Sequence, residues 1–228
     1  MDVVLREIAV TTGLNEVIKR LAVTEQEDID LVRGLYEQAK RVAKPKVVYK
    51  EVPVQETEGN RVRVGGVNFN SPALAMALKD TQTAFAYVST CGTEVDAWSR
   101  AESDYVVLVW LDMIKEMFLR DANAFFAEHL RTQYGIEKVA SASPGAGNAE
   151  NWPITQQKPL FSLIGDVQAQ IGVRLTDSFL MVPIKSSSGL MFPSETGYSS
   201  CRLCNREHCI GRREPYDVQL HGRAFPDG

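Results

Sequence analysis

A long, strongly apolar segment at residues 94–134 constrains the fold of this chain more than any other feature. Large apolar side chains recur through it at helical spacing, Trp98 and Met117 among them. They occupy more than one face, and a helix of this kind is covered by other elements on several sides. The sequence therefore predicts a long helical region, with a break near Asp121, that the rest of the chain buries.

Shorter apolar and β-branched runs surround this region and are typical of strands. The predicted strands are residues 46–55, 61–69, 83–90, 175–183 and 190–192, and the other predicted helices are residues 14–21, 24–42, 71–78 and 157–170. Thr24-x-x-Glu27 is a capping box, and Ser71-Pro72 supplies an N-cap and a first-turn proline. Gly65-Gly66 predicts a bulge or bend within its strand.

Composition excludes several classes of protein. The chain has 228 residues with 44% hydrophobic and 24% charged residues, which is ordinary for a globular protein with an ample core. A net charge of −4 offers no basic surface for nucleic acid. The first residues lack the apolar segment of an export signal, and no stretch is long enough to span a membrane. We therefore expect a cytoplasmic protein whose four cysteines are reduced.

Three cysteines, Cys201, Cys204 and Cys209, form a C-x2-C-x4-C motif near the C-terminus. Thiolates crowded this closely commonly share a zinc ion or an iron–sulfur cluster. Four nearby arginines would offset the concentrated negative charge: Arg202, Arg206, Arg212 and Arg213. The motif predicts a metal centre whose fourth ligand is Cys91, with His208 and His221 as alternatives.

Other interpretations of these cysteines remain open. A redox dithiol fits the C-x2-C spacing. A structural disulfide would close only a very small loop and stabilise little. Inert buried thiols fit poorly with the polar, basic neighbours of the motif.

Two loops and one carboxylate are further candidates for binding. Residues 141–148 are rich in glycine and small side chains, so a ligand could approach the backbone closely there. Residues 185–189, Lys-Ser-Ser-Ser-Gly, combine a cation with hydroxyls and predict a turn that binds an anion. An ordinary solvated loop is the alternative for each. Glu94 stands in a first helical turn, where the helix dipole favours a carboxylate. No catalytic triad is legible, and the catalytic residues stay unknown.

Several blocks in order resemble one protein family. They are Thr90-Cys91-Gly92-Thr93-Glu94, Ser143-Pro144-Gly145, Ile171-Gly172-Val173, Leu175-Thr176-Asp177-Ser178 and Lys185-Ser186-Ser187-Ser188-Gly189. With Pro183 between them, the last two blocks are the most specific. Together they resemble the activation (reactivation) domain family of vitamin B12-dependent methionine synthase. The stand-alone members with C-terminal cysteines are the most similar.

The resemblance implies an α+β fold, with a twisted, mainly antiparallel sheet flanked by helices. It also implies a division into an N-terminal helical segment at 1–45, the activation-like domain at 46–195 and a cysteine-rich segment at 196–228. The implied cofactor-binding residues are Pro144, Gly145, Lys185, Ser186, Ser187, Ser188, Gly189 and Glu94. The family's arginine, tyrosine and glutamate that contact the methyl donor fall at Ser141, Ala146 and Ala124, so we expect weak binding of S-adenosylmethionine or none.

The resemblance and the cysteines together predict a function in methionine or one-carbon metabolism. The chain would cap the cobalamin of a partner, a corrinoid protein or cobalamin-dependent methyltransferase, and deliver an electron from an iron–sulfur cluster for reactivation. Apolar surface around Trp152-Pro153 would meet the corrinoid. Two alternatives stay open: a zinc-stabilised binding module without redox chemistry, and a protein that methylates the corrinoid with S-adenosylmethionine.

Overall fold

A computed structural model describes residues 2–147, 150–195, 197–209 and 212–225. Its helices are α1 (Leu14–Leu21), α2 (Gln26–Val42), α3 (Pro72–Leu78), α4 (Thr93–Ser99), α5 (Tyr105–Tyr134), α6 (Gln157–Ile164), α7 (Val167–Ile171) and α8 (Val218–Ala224). Its strands are β1 (Asp2–Leu5), β2 (Lys46–Glu58), β3 (Arg61–Val64), β4 (Val67–Asn70), β5 (Thr83–Thr90), β6 (Val139–Ala142), β7 (Arg174–Leu175), β8 (Met181–Val182) and β9 (Ser186–Pro193). Short 3-10 turns lie at Ile154–Gln156 and Ser200–Leu203.

The large sheet is antiparallel throughout its pairings. Its strands run in the order β4-β3-β2-β5-β9-β6, and β1 pairs with the first part of β2. Strand β5 lies between β2 and β9 and is buried along almost its whole length, because both of its edges and both of its faces are covered. The α+β fold with an antiparallel sheet and flanking helices is confirmed.

The helices cover the sheet on both faces. Helix α5 packs against one face, where Tyr49, Phe85 and Phe126 share an apolar cluster. Helices α3, α6 and α7 cover the opposite face, where Leu74, Leu160 and Leu190 belong to the largest cluster. Helices α1, α2 and α4 pack on the outer side of α5 through a third cluster. Helix α5 is therefore apolar on more than one face because it lies between a sheet and a helical layer.

The break in the long helical region lies before Tyr105, and the prediction of a break near Asp121 is wrong. Helix α4 ends at Ser99, and α5 starts after Asp104, whose carboxylate accepts hydrogen bonds from Val106 N at 2.8 Å and Val107 N at 3.2 Å. This N-cap satisfies backbone donors that a helix start leaves unpaired. Asp121 lies inside an unbroken α5 and binds Thr11 and Thr12 of the N-terminal segment.

Other local predictions have mixed outcomes. The helix at 14–21, the strand at 83–90 and the Ser71 N-cap are confirmed, the last by a 2.9 Å hydrogen bond from Leu74 N to Ser71 Oγ. The capping box at Thr24 is wrong, because α2 begins after Glu25 without a side-chain cap. Gly65-Gly66 is the turn of the β3–β4 hairpin rather than a bulge.

Two predicted elements in the C-terminal half are each divided in two. The helix predicted at 157–170 is split into α6 and α7 at Gly165, whose φ of +112° suits glycine. The strand predicted at 175–183 is a small hairpin of β7 and β8, set apart from the large sheet.

Candidate functional site

An open cleft of about 410 Å³ lies where α5 crosses the sheet beside the C-terminal segment. We call it the α5 cleft. Residues of α5, β5, β6 and β9 form it, together with Ser143 of the loop after β6 and Arg213 of the C-terminal segment. Its lining residues are Tyr87, Arg120, Asn123, Ala124, Ala127, Val139, Ala140, Ser141, Ser143, Ser187, Met191 and Arg213. The cleft thus combines two cations, several hydroxyls and an amide above an apolar floor.

Register in the sheet aligns a chain of polar groups along this cleft. Tyr87 and Ser89 are two residues apart on β5, so their side chains share one face of the sheet. Ser187 on β9 stands directly opposite Ser89. The hydroxyls of Tyr87 and Ser187 are 3.3 Å apart, and Ser89 Oγ lies 3.5 Å from Ser187 Oγ. Ser89 also donates to Asn123 Oδ1 on α5 at 2.7 Å. These contacts fix the orientation of the Tyr87 and Ser187 hydroxyls, which face the cleft.

The predicted turn at 185–189 is wrong, because Ser186 to Gly189 form the first half of β9, which lies between β5 and β6 in the sheet. Alternation along a strand sends neighbouring side chains to opposite faces. Ser187 lines the α5 cleft, whereas Ser186 donates to Pro183 O at 2.8 Å and Ser188 accepts from Gln157 Nε2 at 3.3 Å. One of the three predicted serines therefore faces the cleft.

Lys185 does not line the α5 cleft and is ion-paired with α5. Its Nζ lies 2.8 Å from the Asp112 carboxylate and 3.8 Å from that of Glu116, both on α5. The lysine is also mostly buried, at 18% side-chain exposure. The ammonium is thus neutralised by two carboxylates, and its role in the structure is to hold the start of β9 against α5.

Gly189 and the loop that starts at Ser143 pack tightly together. A Cβ on Gly189 would lie 2.2 Å from Ala142 O and 2.7 Å from Ser143 Oγ. Pro144 is buried and Gly145 is exposed with φ of +78°. The loop closes with a 2.7 Å hydrogen bond from Gly145 N to Trp152 O. Ser143 lines the α5 cleft, whereas Pro144, Gly145 and Gly189 are not among its described lining residues. Asn148 of the predicted loop lies outside the described residues.

Glu94 is placed away from the α5 cleft. Its carboxylate lies 2.7 Å from Lys46 Nζ. Burial raises the pKa of Glu94, but the hydrogen bond from Lys46 and the helix backbone outweigh this and hold the pKa below its ordinary value. The ion pair joins the start of α4 to the start of β2, which gives Glu94 a structural role without a ligand.

Cys91 is separated from the other cysteines in the fold. It is fully buried in the cluster between α2, α4 and α5, with Val32 and Ile114. Its thiol donates to Gly92 O at 3.7 Å, and burial raises its pKa to about 12. By contrast Leu203, between Cys201 and Cys204, packs against α3 and α8. The structure does not bring Cys91 to the tail cysteines, and the prediction that it completes their site is not supported.

An arginine organises the segment that carries the tail cysteines. Arg212 Nη1 donates to Cys201 O and its Nη2 to Cys204 O, each at 3.2 Å. Cys201 is half-buried, Cys204 is buried and Cys209 is exposed. Partial burial raises the pKa of Cys201, but hydrogen bonds from the Arg213 and Glu214 backbone and the Arg213 guanidinium lower it below its usual value. These contacts favour the thiolate form of Cys201.

No assembled metal site is visible in the part of the chain that the structure describes. There, no three side chains of the His, Cys, Asp and Glu types are arranged to hold a metal ion. Cys204 and Asn151 both pack closely against Gly147. A Cβ added to Gly147 would lie 3.6 Å from Cys204 Cβ and 2.8 Å from Asn151 Nδ2. The Asn151 amide is buried, and within the described ranges neither of its polar atoms has a hydrogen-bond partner. Of the alternative ligands, His208 is exposed, and His221 Nδ1 lies 3.1 Å from Leu203 O.

The Trp152 ring is buried and does not contribute to the apolar surface predicted around Trp152-Pro153, although Ile154 in the same loop is 42% exposed. Trp152 is 2% exposed and packs edge-on against Phe69. Large exposed apolar residues stand elsewhere: Ile184 at 74%, Leu180 at 61% and Tyr105 at 79%. The ion pair between Lys185 and Asp112 brings Ile184 next to α5, the helix that Tyr105 begins.

Comparison with known proteins supports the resemblance on which the sequence prediction depends. Residues 136–210 match the family model of the vitamin B12 dependent methionine synthase activation domain. The predicted resemblance is confirmed. The matched range of the activation domain contains β6, the loop after it, β9 and all three tail cysteines. It therefore includes one wall of the α5 cleft together with the segment that carries Cys201.

A solved structure agrees with this match at the level of fold. It is described as a crystal structure of the MetH reactivation domain bound to AdoHcy. The two share a TM-score of 0.59 at 15% identity, over 87% of this chain and 81% of the other. Identity this low supports the shared fold alone. No curated protein matches the sequence significantly. Within the described residues, no helix has both the length and the apolar character needed to cross a bilayer.

Several residues of the α5 cleft were not predicted from the sequence, namely Tyr87, Arg120, Asn123 and Arg213. One available signal was the spacing of residues 120, 123 and 127, which puts them on one face of a helix. The contribution of Arg213 had no local signal, because it depends on how the C-terminal segment folds back onto the sheet.

The buried position of Cys91 gives a direct chemical prediction. In the native protein at neutral pH, iodoacetamide should label Cys209 readily and leave Cys91 unmodified, because Cys91 is enclosed and its thiol stays protonated. Peptide mass spectrometry would assign the labelled cysteines. Labelling in urea is the control and should modify all four. If Cys91 in the native protein were labelled as fast as Cys209, its thiol would be accessible in solution, which contradicts its burial between α2, α4 and α5.

Proposed function

We propose that this protein docks onto a cobalamin-dependent methyltransferase and takes part in returning its cobalt to the active state. The observation that carries the proposal is the activation-domain match over residues 136–210, on a chain whose fold agrees with a reactivation domain over most of its length. The partner is a corrinoid protein, and the expected setting is methionine or one-carbon metabolism.

The capping surface of this proposal consists of exposed apolar residues at the start of α5 and in the segment that leads into β9. Ile184, Leu180 and Tyr105 are large, apolar and exposed, and such side chains are typical of a surface that meets another molecule. They replace Trp152, which is buried, as the residues that would contact the corrinoid or its protein. Lys185 and Asp112 would hold Ile184 in place during docking.

The α5 cleft is the proposed position of a methyl donor during reactivation. AdoHcy is bound in the solved reactivation domain. In this chain Ser141 and Ala124 line the cleft, at the positions where the resemblance implies an arginine and a glutamate. S-adenosylmethionine is accordingly the first donor to test, and these replacements lead us to expect weak binding.

The tail cysteines are the proposed electron-transfer group. Against the raising effect of burial, the Arg213 guanidinium lowers the pKa of Cys201, and Arg213 also lines the α5 cleft, which links the thiol to the proposed methyl-donor site. Cys201, Cys204 and Cys209 would hold the iron–sulfur cluster, which supplies one-electron chemistry at low potential when bound. Cys209 is exposed and would have to approach the other two. Zinc on the same residues would support a binding module only, since zinc has no redox chemistry.

A charged substitution at Ile184 tests the docking proposal. The Ile184→Asp variant should bind a purified cobalamin-loaded methyltransferase module at least about tenfold more weakly than the unaltered protein, because it places a charge in an apolar contact. Biolayer interferometry measures both affinities. Val218→Asp is the matched control, since Val218 is 70% exposed on α8. Equal affinity for all three proteins would overturn the assignment of this surface.

The nature of the cysteine group is tested separately. Anaerobically purified protein should contain iron and sulfide and be coloured, and the Cys201→Ser variant should contain neither. Metal analysis with visible spectroscopy makes the comparison. Stoichiometric zinc in colourless protein would favour the binding module and leave the docking proposal intact.

A further inference from the structure

The α5 cleft has a cationic lining in a protein of net negative charge. Among the described residues, its lining contains Arg120 and Arg213 and no Asp or Glu. The chain as a whole carries a net charge of −4. A cleft with one sign of charge concentrates ligands of the opposite sign. The electrostatics therefore favour an anion, although the cation predicted for such a site, Lys185, is neutralised outside it.

The two arginines differ in availability. Arg120 is hydrogen-bonded to the Glu16 carboxylate on α1, so much of its charge is offset. Arg213 is exposed, and among residues 2–147, 150–195, 197–209 and 212–225 no ion pair joins it to a carboxylate. Its contact with Cys201 uses part of a guanidinium that has five N–H donors. Donors of Arg213 therefore remain for a ligand.

Neutral donors line the same cleft as Arg213. Ser187 is half-buried, and its hydroxyl is already oriented by Tyr87 and Ser89. Ser141 and Ser143 add two further hydroxyls from β6 and the loop after it. A planar guanidinium beside such hydroxyls matches the oxygens of a carboxylate or phosphate, which accept paired hydrogen bonds.

We propose that the α5 cleft binds a small organic anion through a carboxylate or phosphate, and that Arg213 of the cysteine segment is its principal cation. The cysteine segment is then part of a ligand site as well as a carrier of thiols. The binding of an anion does not depend on the docking of a corrinoid protein, so each can fail without the other.

The experiment uses malonate and inorganic phosphate as probes of the full-length protein, with ionic strength held constant. Guanidinium Nε–H signals are followed by NMR. At least one probe should shift an arginine signal saturably, with a Kd of about a millimolar. Malonamide, the neutral analogue of malonate, should cause no saturable shift. A response to malonate alone assigns a carboxylate, and a response to phosphate alone assigns a phosphate. The absence of any saturable shift would overturn the proposal.

Variants identify the residue responsible. Arg213→Gln should weaken binding about tenfold, and Arg213→Lys, which keeps the charge but loses the paired donors, about threefold. Arg206→Gln is the control, because Arg206 is exposed on the same segment and does not line the cleft. Ser187→Ala, on a different element, should weaken binding about threefold. Circular dichroism checks that each variant is folded. If Arg213→Gln is misfolded, Arg213→Lys and Ser187→Ala decide, and unchanged binding in folded variants contradicts the site.

Discussion

The Asp121→Ala variant is expected to lose about 3 kcal/mol of unfolding free energy. Asp121 is 9% exposed, and its carboxylate accepts four hydrogen bonds, from the backbone N–H and the hydroxyl of both Thr11 and Thr12, at 2.9 to 3.0 Å. Removing it leaves these donors without their acceptor where α5 meets the N-terminal segment. Urea unfolding followed by circular dichroism measures the change.

Two further variants make this result specific. Asp121→Asn keeps the shape but turns one acceptor into a donor, so it should lose about 2 kcal/mol. Asp30→Ala should change stability by less than about 0.5 kcal/mol, because the Asp30 side chain is 62% exposed and its nearest cation is 4.0 Å away. If Asp121→Ala were as stable as Asp30→Ala, the N-terminal segment would not be anchored on α5 in solution.

The Gly189→Ala variant should be destabilised by about 3 kcal/mol, at the upper end of the cost of overfilling a packed site. The new methyl group would lie 2.2 Å from Ala142 O and 2.7 Å from Ser143 Oγ, so backbone as well as side chain must move. Separation of β9 from the end of β6 would also displace the wall of the α5 cleft. Urea unfolding reports the loss of stability, and the malonate titration reports the damage to the cleft.

A second glycine provides a control of opposite sign. Gly34 lies inside α2, and nothing stands within 4 Å of the Cβ that a substitution would add. Gly34→Ala should therefore raise the unfolding free energy by up to about 1 kcal/mol, through the higher helix propensity of alanine. Similar effects at both positions would mean that β9 does not approach β6 as closely as described.

The elements predicted correctly are those with strong local signals. Ser71-Pro72 identifies the start of α3 because an N-cap acceptor and a first-turn proline both act within a few residues. Strand β5 is legible because its middle residues, 84–88, form an uninterrupted run of apolar and aromatic side chains. The strand prediction at 190–192 is correct, but the first half of β9 is predicted as a turn because Lys185, the serines and Gly189 have turn composition. Tertiary contacts override that preference, since Ser188 is paired with Gln157 and Gly189 is required by a close backbone approach.

The site was predictable only in part, for a related reason. Ser143, Pro144 and Gly145 and the serines of β9 were singled out by the block resemblance, and Ser143 and Ser187 do line the cleft. Asn123 and Tyr87 meet these residues through sheet register and helix packing, which join positions distant in sequence. The prediction of Cys91 as a metal ligand rests on its residue type alone, and the sequence gives no signal for how deeply Cys91 is buried. Because Cys91 lies between three helices, it is separated from the tail cysteines.

The most direct test is the visible spectrum of a cobalamin-loaded methyltransferase module held as Co(II), recorded while this protein is added in excess. Docking over the corrinoid should change the surroundings of the cobalt, so the spectrum should shift saturably with protein. The Ile184→Asp variant should give a weaker response, and Val218→Asp should match the unaltered protein. A spectrum that stays constant at saturating protein, together with no binding by interferometry, would contradict a role in corrinoid reactivation.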